Sequence, residues 1–243
     1  MGPERPASED DVNALAVITD CGPSWAERDH ADLGALLQGV LLFLNAYQLL
    51  LAGNQLVLFA VQPEEVQVIW PPPEAGADAF MGTSDAHSLR AAVAAAIARL
   101  AASQREEHKD CEERPLHPAP LLSMAMGTAV CRLQRACRSQ PKVQPRMLVI
   151  SAAEDSIAQH LGSMNCVFAA QKLGILIDGV CLARQGSMVL QHAATLTGGL
   201  YLQPDAATQR GLAQYLITCC LPNRYERQYL RQPHQGQIGR AHV

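Results

Sequence analysis

The chain predicts a doubly wound α/β fold, a mostly parallel sheet with helices on both faces, and three observations carry that expectation. From Arg146 onward, short apolar runs alternate with helical periods, the arrangement of right-handed crossovers onto one sheet. Near the start, Leu15–Thr19 is a brief run, β-branched at Val17, Ile18 and Thr19, that ends at a Gly/Pro turn. The 243 residues suffice for one domain of this class, which buries roughly 70–75% of its unfolded surface.

Residues 1–12 are polar and lack the apolar core of a secretory signal, so they read as a disordered N-terminal tail. The domain is expected over 13–222. After the first strand, Leu33–Leu51 carries apolar residues at 33, 36, 37, 40, 41, 44 and 47, a helical period closed by Gly53-Asn54. Leu56–Val61 and Val66–Trp70 read as strands joined by a turn at Pro63-Glu-Glu. Residues 71–118 form a variable excursion. It opens on Pro71-Pro72-Pro73, contains an alanine-rich helix over Ser88–Ala102, and includes the charged stretch Gln104–Arg114, which is too poor in apolar residues to pack.

Leu121–Cys137 is helical again, and Ser139–Pro145 is a linker. Then come strand Met147–Ser151, a helix around Asn165–Leu173, strand Ile175–Leu182, helix Met188–Leu196, strand Leu200–Gln203 and helix Thr208–Cys220. Gly198-Gly199 either lets the chain turn sharply into the last strand or ends the preceding helix, a structural role in both cases. Residues 223–236 read as a linker remnant.

A net charge of −4, a pI near 6.0 and no Lys/Arg cluster remove the electrostatic footprint of a nucleic-acid binder. The longest apolar stretch, Leu33–Ala52, is broken by Gln38, Asn45 and Gln48, so no bilayer span is expected. Eight cysteines fall in no CxxC pair, which suits buried free thiols in a reducing compartment rather than a zinc module.

In a doubly wound sheet, ligands bind beyond the carboxyl ends of the strands, which directs attention to Asp20-Cys-Gly-Pro-Ser24. The loop has neither GxGxxG nor GxxxxGK[ST], so it offers no phosphate cradle. A phosphotransferase nucleophile at Asp20 would want a second carboxylate at position 22, which is glycine. No GxSxG motif occurs.

The remaining pattern is the metal-dependent adhesion site of von Willebrand factor A domains. There, DxSxS, a threonine from a second loop and an aspartate after the fourth strand hold magnesium. A hard cation needs several oxygen ligands, and here Asp20 and Ser24 remain while Gly22 and Ala152 lack them. His117-Pro-Ala-Pro120 stands where the threonine is sought. No functional metal is expected; Asp20 and Ser24 are expected to hydrogen-bond backbone N–H groups of the turn and following helix. Glu154, Asp155 and Ser156 come too late to replace the missing ligand and suit the next helix N-terminus.

Arg146-Met-Leu-Val-Ile-Ser-Ala-Ala-Glu-Asp-Ser156, Met164-Asn-Cys-Val-Phe-Ala-Ala-Gln-Lys172 and Ile175-Leu-Ile-Asp178 closely resemble the small von Willebrand-A-like core subunits of general transcription factor IIH. The match continues through Thr197-Gly-Gly-Leu-Tyr-Leu202, Gln214-Tyr-Leu216 and Leu221-Pro222. The resemblance implies a nuclear, non-catalytic scaffold in transcription initiation by RNA polymerase II and in nucleotide excision repair. Its implied partners are other factor IIH core subunits, chiefly a von Willebrand-A-containing, zinc-binding one, with no direct nucleic-acid or membrane contact.

The family continues into a cysteine-rich zinc module that is not found in these 243 residues, so no cofactor is expected in this chain. Gln237-Ile-Gly-Arg-Ala-His-Val243 is encoded by cagatcggaagagcacacgtc, which matches a common sequencing-library adapter in all but its first base; residues 237–243 are therefore expected to be an assembly artefact. Candidate partner contacts are Gln171 and Lys172 on a helix, and Tyr225 and Tyr229 in an aromatic-basic segment. Rival readings are a metal-dependent adhesion domain, a hydrolase built on Asp20, and the related scaffold domain of the proteasome's ubiquitin receptor.

Overall fold

The computed structural model describes residues 12–22, 33–50, 53–72, 81–82, 88–96, 99, 121–140, 142–204 and 211–230. Ser24, the stretch 104–114 and residues 237–243 lie outside them.

Strand β1 (Asn13–Asp20) is buried along its whole length. Leu15 and Val17 face one core while Ala14, Ala16 and Ile18 face the other, because side chains alternate across a strand. In chain order follow α1 (Leu33–Leu50), β2 (Gln55–Val61), β3 (Val66–Trp70), β4 (Met81–Gly82) and a helix α2 over 88–96. The second half contains α3 (Leu122–Ser139), β5 (Gln144–Ser151), α4 (Ile157–Lys172), β6 (Leu176–Cys181), α5 (Met188–Thr197), β7 (Tyr201–Leu202) and α6 (Leu212–Tyr215). A π-helical turn, Leu216–Cys220, continues α6.

The sheet order is β3-β2-β1-β5-β6-β7. Strands β2, β1, β5, β6 and β7 run parallel, and β3 and β4 pair in turn with β2 in antiparallel fashion. One face is covered by α1, α2, α6 and the π turn, with Phe43, Leu44, Leu89, Val93 and Leu216 against Leu58, Leu148 and Ile150. The other carries α3, α4 and α5, where Met126, Leu133, Val167 and Leu190 meet Ile18, Phe59 and Val149. The doubly wound α/β expectation holds.

Three boundaries differ from the sequence expectation. Helix α4 begins at Ile157, eight residues before Asn165; its first turns place Ile157 and Leu161 in solvent, so periodicity gives no sign of them. Strand β5 starts at Gln144, inside the expected linker; Pro145 is tolerated because β6 pairs only from Arg146 onward. The expected helix over 208–220 is, among the described residues, one α-turn followed by a π turn. The two-residue β4 had no sequence signal.

Gly198 caps α5 in the left-handed region at φ 75°, as its position predicts. Gly199 has a separate reason: a Cβ there would lie 1.9 Å from the Ile177 carbonyl oxygen.

Candidate functional site

The chain leaves β1 toward β2 on one side and returns to β5 on the other, so the carboxyl ends of β1 and β5 form the topological switch point where this class of sheet binds ligands. Asp20, the last residue of β1, is fully buried there. Its Oδ1 accepts from the Gly22 N–H at 2.9 Å. Its Oδ2 accepts from the Ser151 hydroxyl at 3.2 Å and from the Ala152 and Ala153 N–H groups at 3.1 Å each. Burial pushes the Asp20 carboxyl above its ordinary value, and these four donors pull it partly back.

Among the described residues, the groups around Asp20 do not suit magnesium. Both carboxylate oxygens already face protein donors, Gly22 and Ala152 bring no oxygen-bearing side chain, and a cation would meet N–H groups instead of lone pairs. Among the described residues, no three His, Cys, Asp or Glu side chains gather to hold an ion. Asp20 thus joins backbone N–H groups of its own turn, as expected, and also of the β5–α4 loop, which sequence reasoning did not anticipate. Local spacing carries no trace of that second set of partners.

Asp155 lies beside the same end of the sheet. Its carboxylate accepts from the Ser187 hydroxyl at 2.5 Å and the Val189 N–H at 3.1 Å, so it serves the N-terminus of α5 rather than that of α4. Ser187 in turn caps α5 through the Leu190 N–H. A small cleft at this point is lined by Glu154, Asp155, Gln159, Ser163 and Ser187.

A second polar cluster sits at the opposite end of the sheet. Asp178 on β6 is 1% exposed and accepts from both Arg227 terminal nitrogens at 2.6 and 2.7 Å, from Arg146 at 3.3 Å, and from the Leu200 N–H at 2.9 Å. Burial alone would raise its carboxyl; Arg227, Arg146 and the Leu200 N–H outweigh it and hold the carboxyl below the ordinary value. Arg146 also donates to the Cys220 and Leu221 carbonyls, closing the C-terminal end of the π turn. The segment expected as a linker therefore begins as packed structure: Arg227 enters the interior from a short 3-10 turn, Glu226–Gln228.

Of the candidate contact residues, Gln171 and Lys172 are exposed at the end of α4. They complete a face that also carries Ile157, Leu161 and Phe168, which are 95%, 72% and 46% exposed. Their helical spacing, positions 157, 161 and 168, is the signal that sequence reading passed over. Tyr225 and Tyr229 stack edge to face at 5.3 Å, with Tyr229 largely in solvent. Ser24 lies outside the described residues. The described cysteines form no disulfide; Cys21, Cys181, Cys219 and Cys220 are buried as expected, whereas Cys131 is exposed. Among the described residues, no helix is long and apolar enough to cross a membrane.

Residues 12–241 match the family model described as transcription factor Tfb4. General transcription factor IIH subunit 3 of Dictyostelium discoideum is 25% identical over 225 residues, 86% of this chain and 58% of that protein, so the chain spans little more than half of this relative. General transcription and DNA repair factor IIH subunit tfb4 of Schizosaccharomyces pombe is 27% identical over 241 residues, covering 95% of this chain and 77% of the relative. Among solved structures, the TFIIH p34 N-terminal domain superposes with a TM-score of 0.68 at 25% identity, covering 87% of this chain and 99% of that one. The SpRpn10 VWA domain shares the fold at a TM-score of 0.57 and 13% identity, covering 83% and 93% of the two chains.

Proposed function

The chain belongs to the transcription factor Tfb4 family, and from that premise we propose that it is a non-catalytic scaffold subunit of general transcription factor IIH, serving transcription and DNA repair in the nucleus. The observation that carries this reading is a single family match running from residue 12 to residue 241. The chemistry of the switch point supports it: the Asp20 carboxylate at the end of β1 is taken up in tying β1 to the β5–α4 loop.

The proposed partners are other factor IIH core subunits, chiefly the von Willebrand-A-containing, zinc-binding one. Gln171 and Lys172 at the end of the exposed α4 face, and the Tyr225–Tyr229 pair, are the proposed contacts, since tyrosine is enriched among interface anchors and Gln171 and Lys172 border exposed apolar side chains. The net charge of −4 favours protein partners over direct DNA binding. No cofactor is proposed for this chain.

A tagged chain expressed in cells tests the reading by co-purification. Recovery of factor IIH subunits is expected; recovery of proteasome subunits in their place would favour the rival reading as a proteasomal ubiquitin-receptor scaffold and refute it. Hydrolysis of phosphate esters by the purified chain, abolished in Asp20→Ala, would refute the non-catalytic part.

A further inference from the structure

On the reading of this chain as a protein-binding scaffold, the geometry points to Arg132 of α3 as a docking point for an acidic side chain of a protein partner, whose carboxylate accepts from the guanidinium beside the β3 edge of the sheet. Arg132 is buried, with 9% of its surface exposed. Yet among the described residues its guanidinium has no ion pair or hydrogen bond, and Nη1 is enclosed without an acceptor. What the group does meet is the Phe59 ring, whose centroid lies 5.7 Å from Cζ.

A buried charge without a counter-ion is costly, and folded chains normally pair it. This fold does so at the other end of the sheet, where Arg146 and Arg227 share the Asp178 carboxylate at 3.3 and 2.6 Å. Arg132 has no such partner among the described residues. Burial accordingly pulls its guanidinium below the ordinary value, whereas Arg227, which burial would also lower, is held above it by Asp178. Helix α3 contains Arg132, Arg135 and Arg138 and no Asp or Glu, so no carboxylate of its own helix answers the charge. A head group simply extended into water over a packed stem would leave all its nitrogens wet, and Nη1 is not.

The position suits an incoming side chain. Ala125, Met126, Ala129, Leu133 and Ala136 turn toward the sheet, and Arg132 lies on the flank of α3 that overhangs β2. Phe59 pairs with Val68 of β3, which ends the strand order, and Val66 and Val68 are only half-buried against the same core. A partner's Asp or Glu lays its apolar stem toward these valines and its carboxylate on a planar fork that Phe59 already orients. Pairing relieves an uncompensated charge that the free chain already bears, so docking gains from a cost met on folding.

Three measurements on the full chain test this. In the free chain, Arg132→Met removes the unpaired charge and keeps most of the volume, so Tm should rise by about 3 °C or more; an unchanged or lower Tm would make Arg132 a structural member and overturn the proposal. By nuclear magnetic resonance at low salt, an acetylated hexaglutamate peptide should shift the Arg132 Nε–H signal, assigned by its loss in Arg132→Met, more than those of other arginines; an unmoved signal would overturn it equally. In co-purification, Arg132→Met should recover factor IIH subunits at least about fivefold less than the parent, with Arg132→Lys, which keeps the charge without the fork, between the two. Equal recovery by all three chains would overturn the proposal and leave the scaffold reading standing. Recovery of none by the parent would refute the scaffold reading, and the peptide titration then decides the proposal.

Discussion

Replacing Asp20 by alanine removes the acceptor of the Gly22 and Ala152 N–H groups and of the Ser151 hydroxyl, and leaves the Ala153 N–H with the Ser151 Oγ at 3.2 Å. Each buried donor left without a partner costs about 1–3 kcal/mol. The sum overstates the loss, because the variant also relieves the burial of a carboxylate and opens a space that water can enter. A net destabilisation of about 2–4 kcal/mol follows. For a domain of this size that corresponds to a fall in Tm of about 5–15 °C. Asp20→Asn keeps one carbonyl oxygen for the β5–α4 donors but turns an amide toward the Gly22 N–H, or the reverse, and should lose about 1–2 kcal/mol. Urea unfolding followed by circular dichroism measures both, with an unchanged m-value identifying a native-state effect. The same samples are titrated with magnesium. If Asp20→Ala loses less than about 0.5 kcal/mol, and magnesium raises the Tm of the parent but not of the variant, Asp20 is a cation ligand and the reasoning fails.

Gly199→Ala places a methyl carbon 1.9 Å from the Ile177 carbonyl oxygen, so β6 and the β7 approach must separate; a loss of at least about 2 kcal/mol is expected in thermal unfolding, and a neutral result would contradict the backbone contact. Asp178 governs the acid limb. Its carboxyl lies below the ordinary value in the folded chain, so its stabilisation is present above the unfolded value of about 3.9 and is lost as pH falls through the native value. Asp178→Asn should be less stable than the parent at pH 7 and should converge on it as pH falls below the ordinary carboxylate range and through the lowered native value, as read by urea midpoints; parallel curves would refute this. Asp20 acts with the opposite sign, its raised carboxyl favouring the fold at lower pH. Lys172→Glu and Tyr229→Ala should leave Tm within about 1 °C of the parent, since both side chains are exposed. The same variants should reduce recovery of factor IIH subunits in co-purification; full recovery in both would remove these residues from the contact.

Several features of the fold were legible in advance because they are local. Leu15–Thr19 and Met147–Ser151 read as buried strands because a strand covered on both faces must be apolar throughout. The helical period expected over Leu33–Leu51 was direct, and the helix runs from Leu33 to Leu50. Helix α4 was only half legible: its outward Ile157, Leu161 and Phe168 blur the polar–apolar contrast that periodicity needs.

The sequence by itself determined the layered α/β architecture, the family resemblance and the want of an oxygen-bearing side chain at Gly22 and Ala152, since an absent side chain is absent in any fold. Only the tertiary structure decided what replaced them. Ala152 stands 132 residues from Asp20, and Arg227 stands 49 from Asp178. Pairings at such separations leave no mark on local periodicity, because hydrogen bonds and ion pairs depend on which backbone and side-chain atoms the packed sheet brings within about 3 Å. The same aspartate that reads as a remnant metal ligand along the chain is, in space, the acceptor that closes its own switch point.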